Sequence, residues 1–259
     1  LNFLLTWKLF KELKIKDGYL DYISIEGYPL KNNQLIKVHE KHPNLQKLWI
    51  ELQDALPPLW SGIHRLNLNH GKVRLTLIYN DVLEALKNSI FKADAWFLDG
   101  FSPNKNHDMW SLEVMSEIYR LTKPSGTFAT FSSAGFVRRN LEKAGFGVKK
   151  IKGYNFKKEM SCGQKPGMEK SKEKFSKVVI IGGGVAGASI ASSLRKRGYD
   201  PIVIEKNNKL AQGSSGNLAA VQHPRLTTVN TPNGRLSLSC YRYSRDLAKR
   251  LGVAIDDKS

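Results

Sequence analysis

The chain has 259 residues, 41% hydrophobic and 25% charged, and its 41 lysines and arginines outnumber its 23 aspartates and glutamates to give a formal net charge of +18. That length allows two domains of ordinary size, each with its own core, and the composition is that of a soluble globular protein with no apolar run long enough for a membrane span. Two cysteines, Cys162 and Cys240, lie far apart without metal-like spacing, which argues against a disulfide framework or a zinc site and fits a reducing, cytoplasmic setting.

The first residue is Leu1 rather than Met, and LNFLLTWKLF lacks the basic start and small-residue cleavage site of a signal peptide. The chain stops about 80 residues after a glycine loop begins, too few for a dinucleotide-binding domain with a substrate lobe. We therefore expect a piece of a longer protein, cut at both ends. Leu4, Leu5, Leu9 and Leu13, with Trp7 and Phe10, predict an amphipathic helix over 1–13 entered without a cap. Leu20 to Ile25 reads as a strand ending in Glu26, an acid placed equally well for a nucleoside or for solvent. Lys31 to Leu56 is helical with a break at His42-Pro43, because the residue before proline is pushed out of the α region. His39 and His42 are three apart there but have no third ligand, so no metal site is expected.

Ile63 to Leu68 and Val73 to Tyr79 flank Asn69-His70-Gly71, which predicts a hairpin. Asp81 then either caps a helix or faces a ligand from a strand's carboxyl end. Ala95 to Leu98 reads as a short buried strand with Asp99 at its carboxyl end, where open α/β sheets place their ligand crevice. The loop Gly100 to Pro103, a helix from Trp110 to Leu121, a turn at Pro124-Ser125-Gly126 and a strand from Thr127 to Phe131 follow. A helix from Phe136 to Ala144 bears Arg138 and Arg139 and is closed by Gly145. Phe146 to Ile151 and Tyr154 to Met160 predict a terminal hairpin.

The alternation up to about Cys162 predicts a parallel-sheet α/β domain over 1–162, with a polar linker over 163–176 and a second domain over 177–259. Between Lys149 and Lys177 stand ten lysines against Glu159, Glu169 and Glu173. A solvated linker explains part of that run, and the excess charge of the whole chain favours a surface that tracks nucleic-acid phosphates.

The second domain opens on KVVIIGGGVAGASIASSLRKRGYDPIVIE, Lys177 to Glu205. Val178 to Ile181 reads as a buried parallel strand, and Val185, Ile190 and Leu194 recur at helical spacing until Gly198. Gly182 permits the tight turn, Gly184 lets the backbone approach a pyrophosphate, and Gly187 lets the helix sit close to the sheet. Phosphates would sit at the helix N-terminus, and Glu205, ending the strand from Pro201, stands where an acid accepts the ribose hydroxyls of an adenosine.

The Asp99-Gly-Phe-Ser-Pro loop resembles the Asp/Asn-Pro-Pro-aromatic loop of S-adenosylmethionine-dependent amino methyltransferases, in which an acid takes up the amine's proton and a flat residue holds the base. Asp99 and Phe101 fill those roles by position, and a buried Asp capping the next turn is the other reading. More broadly, the chain resembles the MnmC family, the bifunctional enzymes of 5-methylaminomethyl-2-thiouridine biosynthesis at the tRNA wobble position. The residues that carry this are LNFLLTW at Leu1 to Trp7, Glu26 with Pro29-Leu30, WFLDGFSPNKNHDMW at Trp96 to Trp110, SAGFVRRNLEKAGF at Ser133 to Phe146, KKEM at Lys157 to Met160, the glycine loop, and SSGNLAA at Ser214 to Ala220.

The resemblance implies a Rossmann-like S-adenosylmethionine methyltransferase domain followed by the start of a Rossmann-type FAD-binding oxidoreductase domain. It implies removal of a carboxymethyl group with FAD, then methylation of the exposed amine with S-adenosylmethionine, on tRNA. It makes Asp99 catalytic, puts Leu1, Asn2, Glu26 and Asp81 beside the methyl donor, and puts Gly182, Gly184, Gly187, Glu205, Ser215, Gly216 and Asn217 at the flavin site. Arg138, Arg139, Lys157 and Lys158 become contacts to tRNA. The family's glycine loop for S-adenosylmethionine falls before Leu1, His107 replaces a proline, and Tyr154-Asn155-Phe156 replaces a Phe-Gly-Arg pattern. The competing expectation, from a different class, is a tRNA-binding remnant without activity.

Overall fold

The computed structural model describes residues 1–15, 18–57, 59–155, 157–168, 177–227 and 231–255. They form two compact units. One takes in Leu1–Ser24, Tyr28–Tyr79 and the described residues from 177 onward; the other takes in Ile25–Gly27 and the described residues from Asn80 to Met168.

In the first unit, helix α1 (Asn2–Glu12) enters without a side-chain cap, as its sequence predicts. It buries Phe3, Leu4 and Trp7, whereas Leu5, Leu9 and Leu13 of the expected stripe are exposed. The buried set packs with Leu48, Trp49 and Leu52 of helix α3 (Gln46–Ala55) against alternate residues of two strands, Leu66 and Leu68 on one and Val73, Leu75, Leu77 and Tyr79 on the other. Those strands are β2 (Gly62–Leu68) and β3 (Val73–Tyr79), an antiparallel hairpin in register from Gly62–Tyr79 to Leu68–Val73, and β1 (Leu20–Glu26) lies on the far side of β3. Helix α2 (Asn32–His39) ends before Pro43, and His39 is not a surface ligand: it is buried and stacks on Trp49 at 4.0 Å.

The opposite face of this sheet is polar. Asp21 accepts hydrogen bonds from Arg65 at 2.8 Å and Arg74 at 2.5 Å, and Arg74 also lies 4.7 Å over the Tyr19 ring. Strands β8 (Val178–Ile181) and β9 (Pro201–Ile204) pair in parallel and are joined by helix α7 (Val185–Arg195). The parallel pairing matches the sequence, but the expected burial does not. Ile180 is buried, while Val179 (53% exposed) and Ile181 (89% exposed) face away, and Val185 and Ile190 of the helical stripe are also exposed. In this two-stranded sheet α7 shields the side bearing Ile180, so only alternate residues are covered. Helix α8 (Pro232–Arg250), capped by Thr231, packs along β2, with Asn67 donating to Tyr243 at 3.3 Å and Arg242 5.2 Å over Trp60.

The second unit holds a four-stranded sheet in the order β4-β5-β7-β6, from β4 (Ala93–Phe97), β5 (Thr122–Thr130), β6 (Gly147–Lys152) and β7 (Glu159–Gln164). Only β4–β5 is parallel, so this sheet is mixed rather than parallel; a short hairpin can join only antiparallel strands. The turn at Pro124-Ser125-Gly126 survives as an irregularity inside β5, where Ala93 pairs with Thr122 but Ala95 with Thr127. The second hairpin arm lies later than its sequence predicts, because β7 also pairs with β5 from Thr127–Gln164 to Thr130–Ser161. Gly163 and Gln164, expected in the linker, are therefore strand residues, and most of the remaining linker, with Phe156, lies outside the described residues.

Helix α4 (Val82–Lys87), helix α5 (Leu112–Leu121) and helix α6 (Gly135–Ala144) cover this sheet around Trp110, Val114, Met115, Ile118, Leu121, Phe128, Val137 and Leu141. Helix α5 starts later than expected because Ser111 caps it, accepting from Val114 N–H at 3.3 Å.

Candidate functional site

Parallel strands β4 and β5 end side by side, with Leu98 N–H donating to the Ala129 carbonyl at 2.9 Å. The loop after β4 carries Asp99 to Pro103, and the loop after β5 carries Phe131 to Ala134 into α6. Between them and the β6–β7 hairpin lies a cleft of ≈ 420 Å³ lined by Ser102, Pro103, Phe131, Ser132, Ser133, Ala134, Lys157, Lys158 and Glu159. A cleft at the carboxyl ends of parallel strands is where an open α/β sheet takes its ligand.

Partly buried polar bonds fix the walls. Trp110 donates Nε1–H to the Phe101 carbonyl at 3.0 Å, and Asn140 of α6 donates to the Trp110 carbonyl at 2.9 Å, so the loop is held to the Trp110 indole and the helix to its main chain. Ser132 Oγ accepts from Ala134 N–H at 3.2 Å, and His107 stacks flat on Phe136 at 4.4 Å. The Phe131 ring meets Trp110 edge-on, and Lys157 Nζ stands 4.2 Å from its centroid.

Asp99 is exposed at the end of β4. Phe101 is 62% exposed and is not among the residues lining the cleft; the aromatic ring there among the described residues is Phe131. An aromatic residue ending a strand directly before Ser132-Ser133 was the available signal. Lys157 and Lys158 line the cleft, while Arg138 and Arg139 lie on α6, Arg138 half-buried and Arg139 exposed. Glu26 ends β1 exposed, and the chain just after it passes the end of β3, since a Cβ on Gly27 would stand 3.6 Å from the Asn80 carbonyl. Asp81 caps α4, accepting from Leu83 N–H at 2.9 Å and Glu84 N–H at 3.1 Å. Leu1 and Asn2 open α1 in the first unit, where Asn2 O accepts from Thr6 Oγ1 at 2.9 Å.

The glycine loop has the conformation its residues predict. Gly182 has φ +99°, which a side chain rarely adopts, and a Cβ on Gly187 would overlap the Gly182 carbonyl oxygen, so α7 starts against the strand's own end. Glu205 follows β9 and accepts from Gly183 N–H at 2.7 Å and Asn207 N–H at 3.1 Å. The Gly183 bond is the main reason its carboxyl is held below the usual carboxylate range. A turn at Ser214–Gly216 brings Ser215 Oγ to accept from Val185 N–H at 2.9 Å, and a Cβ on Gly184 would lie 2.9 Å from that oxygen. Gly216 and Asn217 are exposed. Two N–H groups at the start of α7 thus already hold oxygen acceptors, the chemistry that a pyrophosphate requires.

Among the described residues no group of His, Cys, Asp or Glu could hold a metal, Cys162 and Cys240 are free thiols, and no helix is long and apolar enough to cross a membrane.

Residues 43–166 match the S-adenosyl-L-methionine-dependent methyltransferase family, and residues 177–258 match the FAD dependent oxidoreductase family. Over 97% of its length the chain is 36% identical to the tRNA 5-methylaminomethyl-2-thiouridine biosynthesis bifunctional protein MnmC of a Marinomonas species, covering 40% of that protein. It is 37% identical to the MnmC of Methylobacillus flagellatus over 98% of its length, covering 39%, and 38% identical to that of Pseudomonas aeruginosa over 97%, covering 40%. The chain thus spans about two-fifths of the length of the curated relatives it matches. Among solved structures, the crystal structure of MNMC2 from Aquifex aeolicus aligns with 65% of the chain and 52% of its own, at 24% identity and a TM-score of 0.49.

Proposed function

We propose that this chain, which belongs with the MnmC proteins by sequence along nearly its whole length, carries the methyl-transfer site and opens the flavin site of a two-step modifier of the tRNA wobble uridine. In that reading the longer protein removes the carboxymethyl group from 5-carboxymethylaminomethyl-2-thiouridine with FAD, then methylates the exposed aminomethyl group with S-adenosylmethionine. The observation that carries it is the cleft at the carboxyl ends of β4 and β5, adjoining the Asp99 loop and flanked by Lys157 and Lys158.

The acceptor amine reacts through a lone pair, and a primary amine is mostly protonated at neutral pH. Asp99, exposed beside the cleft, takes up the proton lost as the N–CH₃ bond forms; S-adenosylmethionine would supply the electrophilic methyl group, its S–CH₃ bond breaking to leave the thioether S-adenosylhomocysteine. Glu26 and Asp81 hold the donor's nucleoside, and the resemblance to the MnmC proteins assigns Leu1 and Asn2 to the same donor. Phe101 flanks the base, and Arg138, Arg139, Lys157 and Lys158 meet tRNA phosphates.

For the flavin, Gly182, Gly184 and Gly187 shape the loop, Glu205 receives the ribose hydroxyls, and Ser215, Gly216 and Asn217 lie along the dinucleotide. The oxygen acceptors already seated on Gly183 and Val185 N–H support that fit. FAD, when bound there, would supply the two-electron oxidising power for the first step. A cytoplasmic setting agrees with the two free thiols.

Asp99→Ala in the full-length protein leaves aminomethyl-thiouridine accumulating in tRNA, read by nucleoside mass spectrometry; unchanged methylated product rejects the role of Asp99. A full-length protein that purifies colourless and shows no absorbance change with FAD rejects the flavin half.

A further inference from the structure

We propose that the cleft receives one nucleotide turned out of its strand, with the base lying on Phe131 and the phosphate held by Lys157 and Lys158, and that Lys157 covers the Phe131 face until the base arrives. This deepens the nucleic-acid reading of the site and rests on it. Among the described residues Phe131 is the aromatic ring lining the cleft, and its edge-on contact with Trp110 at 6.1 Å and 88° fixes its plane. Trp110 is itself 2% exposed and hydrogen-bonded to the Phe101 carbonyl, so the ring rests on an immobile support.

One face of that platform is occupied by the chain's own cation, with Lys157 Nζ 4.2 Å from the centroid. A cation over an exposed ring favours the contact by about two- to fivefold, whereas a base stacked on an aromatic side chain is worth roughly five- to 150-fold. The base therefore displaces the ammonium. Lys157 lies on the loop between β6 and β7, beside Lys158, so the displaced ammonium can turn to the phosphate of the same nucleotide. Glu159, the one acid lining the cleft among the described residues, is drawn to Lys150 at 2.7 Å, which turns its charge toward β6. The volume of ≈ 420 Å³ suits a unit of nucleotide size.

The proposal gives Lys157 opposite effects on two probes. Ligand-observed NMR titration of the chain with uridine and with uridine 5′-monophosphate reads them. Phe131→Leu, which keeps an apolar contact with Trp110, weakens both probes by at least fivefold. Lys157→Ala strengthens uridine by about two- to fivefold, because the competitor for the ring is gone, and weakens the monophosphate. The proposal is overturned if the wild-type chain binds neither probe, if Phe131→Leu binds both like wild type, or if Lys157→Ala leaves uridine unchanged or weaker. Should Asp99→Ala abolish methylation while Phe131→Leu leaves both probes unaffected, the methyl-transfer reading stands and this inference alone falls.

Discussion

The glycine loop at Gly182 to Gly187 and the cleft beside Asp99 are built in contrasting ways. The loop's N–H groups at Gly183 and Val185 are closed by the chain's own oxygens, while the sheet beneath it leaves Val179 and Ile181 open. The cleft has a fully buried foundation in Trp110, Met115, Leu121 and Val137, and a mouth lined by two lysines. A phosphate-binding turn is specified by backbone conformation and needs little packing to exist. A cleft for a base needs a rigid wall, and its shape comes from a core distant in sequence.

The sharpest way to break that contrast is Trp110→Ala. Removing a buried indole that also carries the Phe101 carbonyl costs about 3–5 kcal/mol of the second unit's stability, seen as a lowered midpoint in urea. A cost near that of a surface substitution would mean the cleft is not built on this core. Next comes Gly187→Ala, whose methyl group overlaps the Gly182 carbonyl and drives helix from strand, at about 1–3 kcal/mol. In the full-length protein it lowers FAD affinity at least tenfold in an absorbance titration while leaving the cleft's uridine binding unchanged.

The smallest effect is set by pH. Burial lowers the pKa of both His39 and His64, with Trp60's carbonyl partly opposing this at His64. A histidine with a depressed folded pKa contributes stability above its unfolded value of about 6.5, and that contribution is lost as pH falls through the folded pKa. Thermal melts should therefore show the first sheet weakening from pH 7 toward 5. The Glu205–Gly183 bond persists over that range, because the Glu205 pKa is depressed from 4.5 and its contribution is lost only at lower pH.

Legibility in the sequence followed the same division. The hairpin at Asn69–Gly71, the cap at Asp81, the proline break before Pro43 and the turn at Gly182 were readable because each is set by a few neighbouring residues. Strand β7, EMSCGQ, has almost no apolar pattern and exists through pairing on both sides, so its position was not readable. The exposed Leu5, Leu9 and Leu13 show the converse, a pattern of burial that this helix does not use. At the cleft, Asp99 was legible as a strand-end acid, whereas Phe131, at the end of the next expected strand, could not be told from a core aromatic, because its place depends on Trp110 and on Lys157 from the later hairpin.

Lys165 has a consequence for how quickly a polyanion can be met. It donates Nζ–H to the Tyr119 carbonyl at 2.9 Å and the Thr122 carbonyl at 3.1 Å, and lies 4.1 Å over the Tyr119 ring. This pins the outgoing end of β7 to the carboxyl end of α5, where the helix dipole favours a cation. The hairpin carrying Lys149, Lys150, Lys152, Lys157 and Lys158 is thus a clamped array of charges whose strands need no ordering on contact. On the proposed reading, encounter with tRNA phosphates would be governed by long-range attraction, fast at low ionic strength and steeply slower as salt screens it.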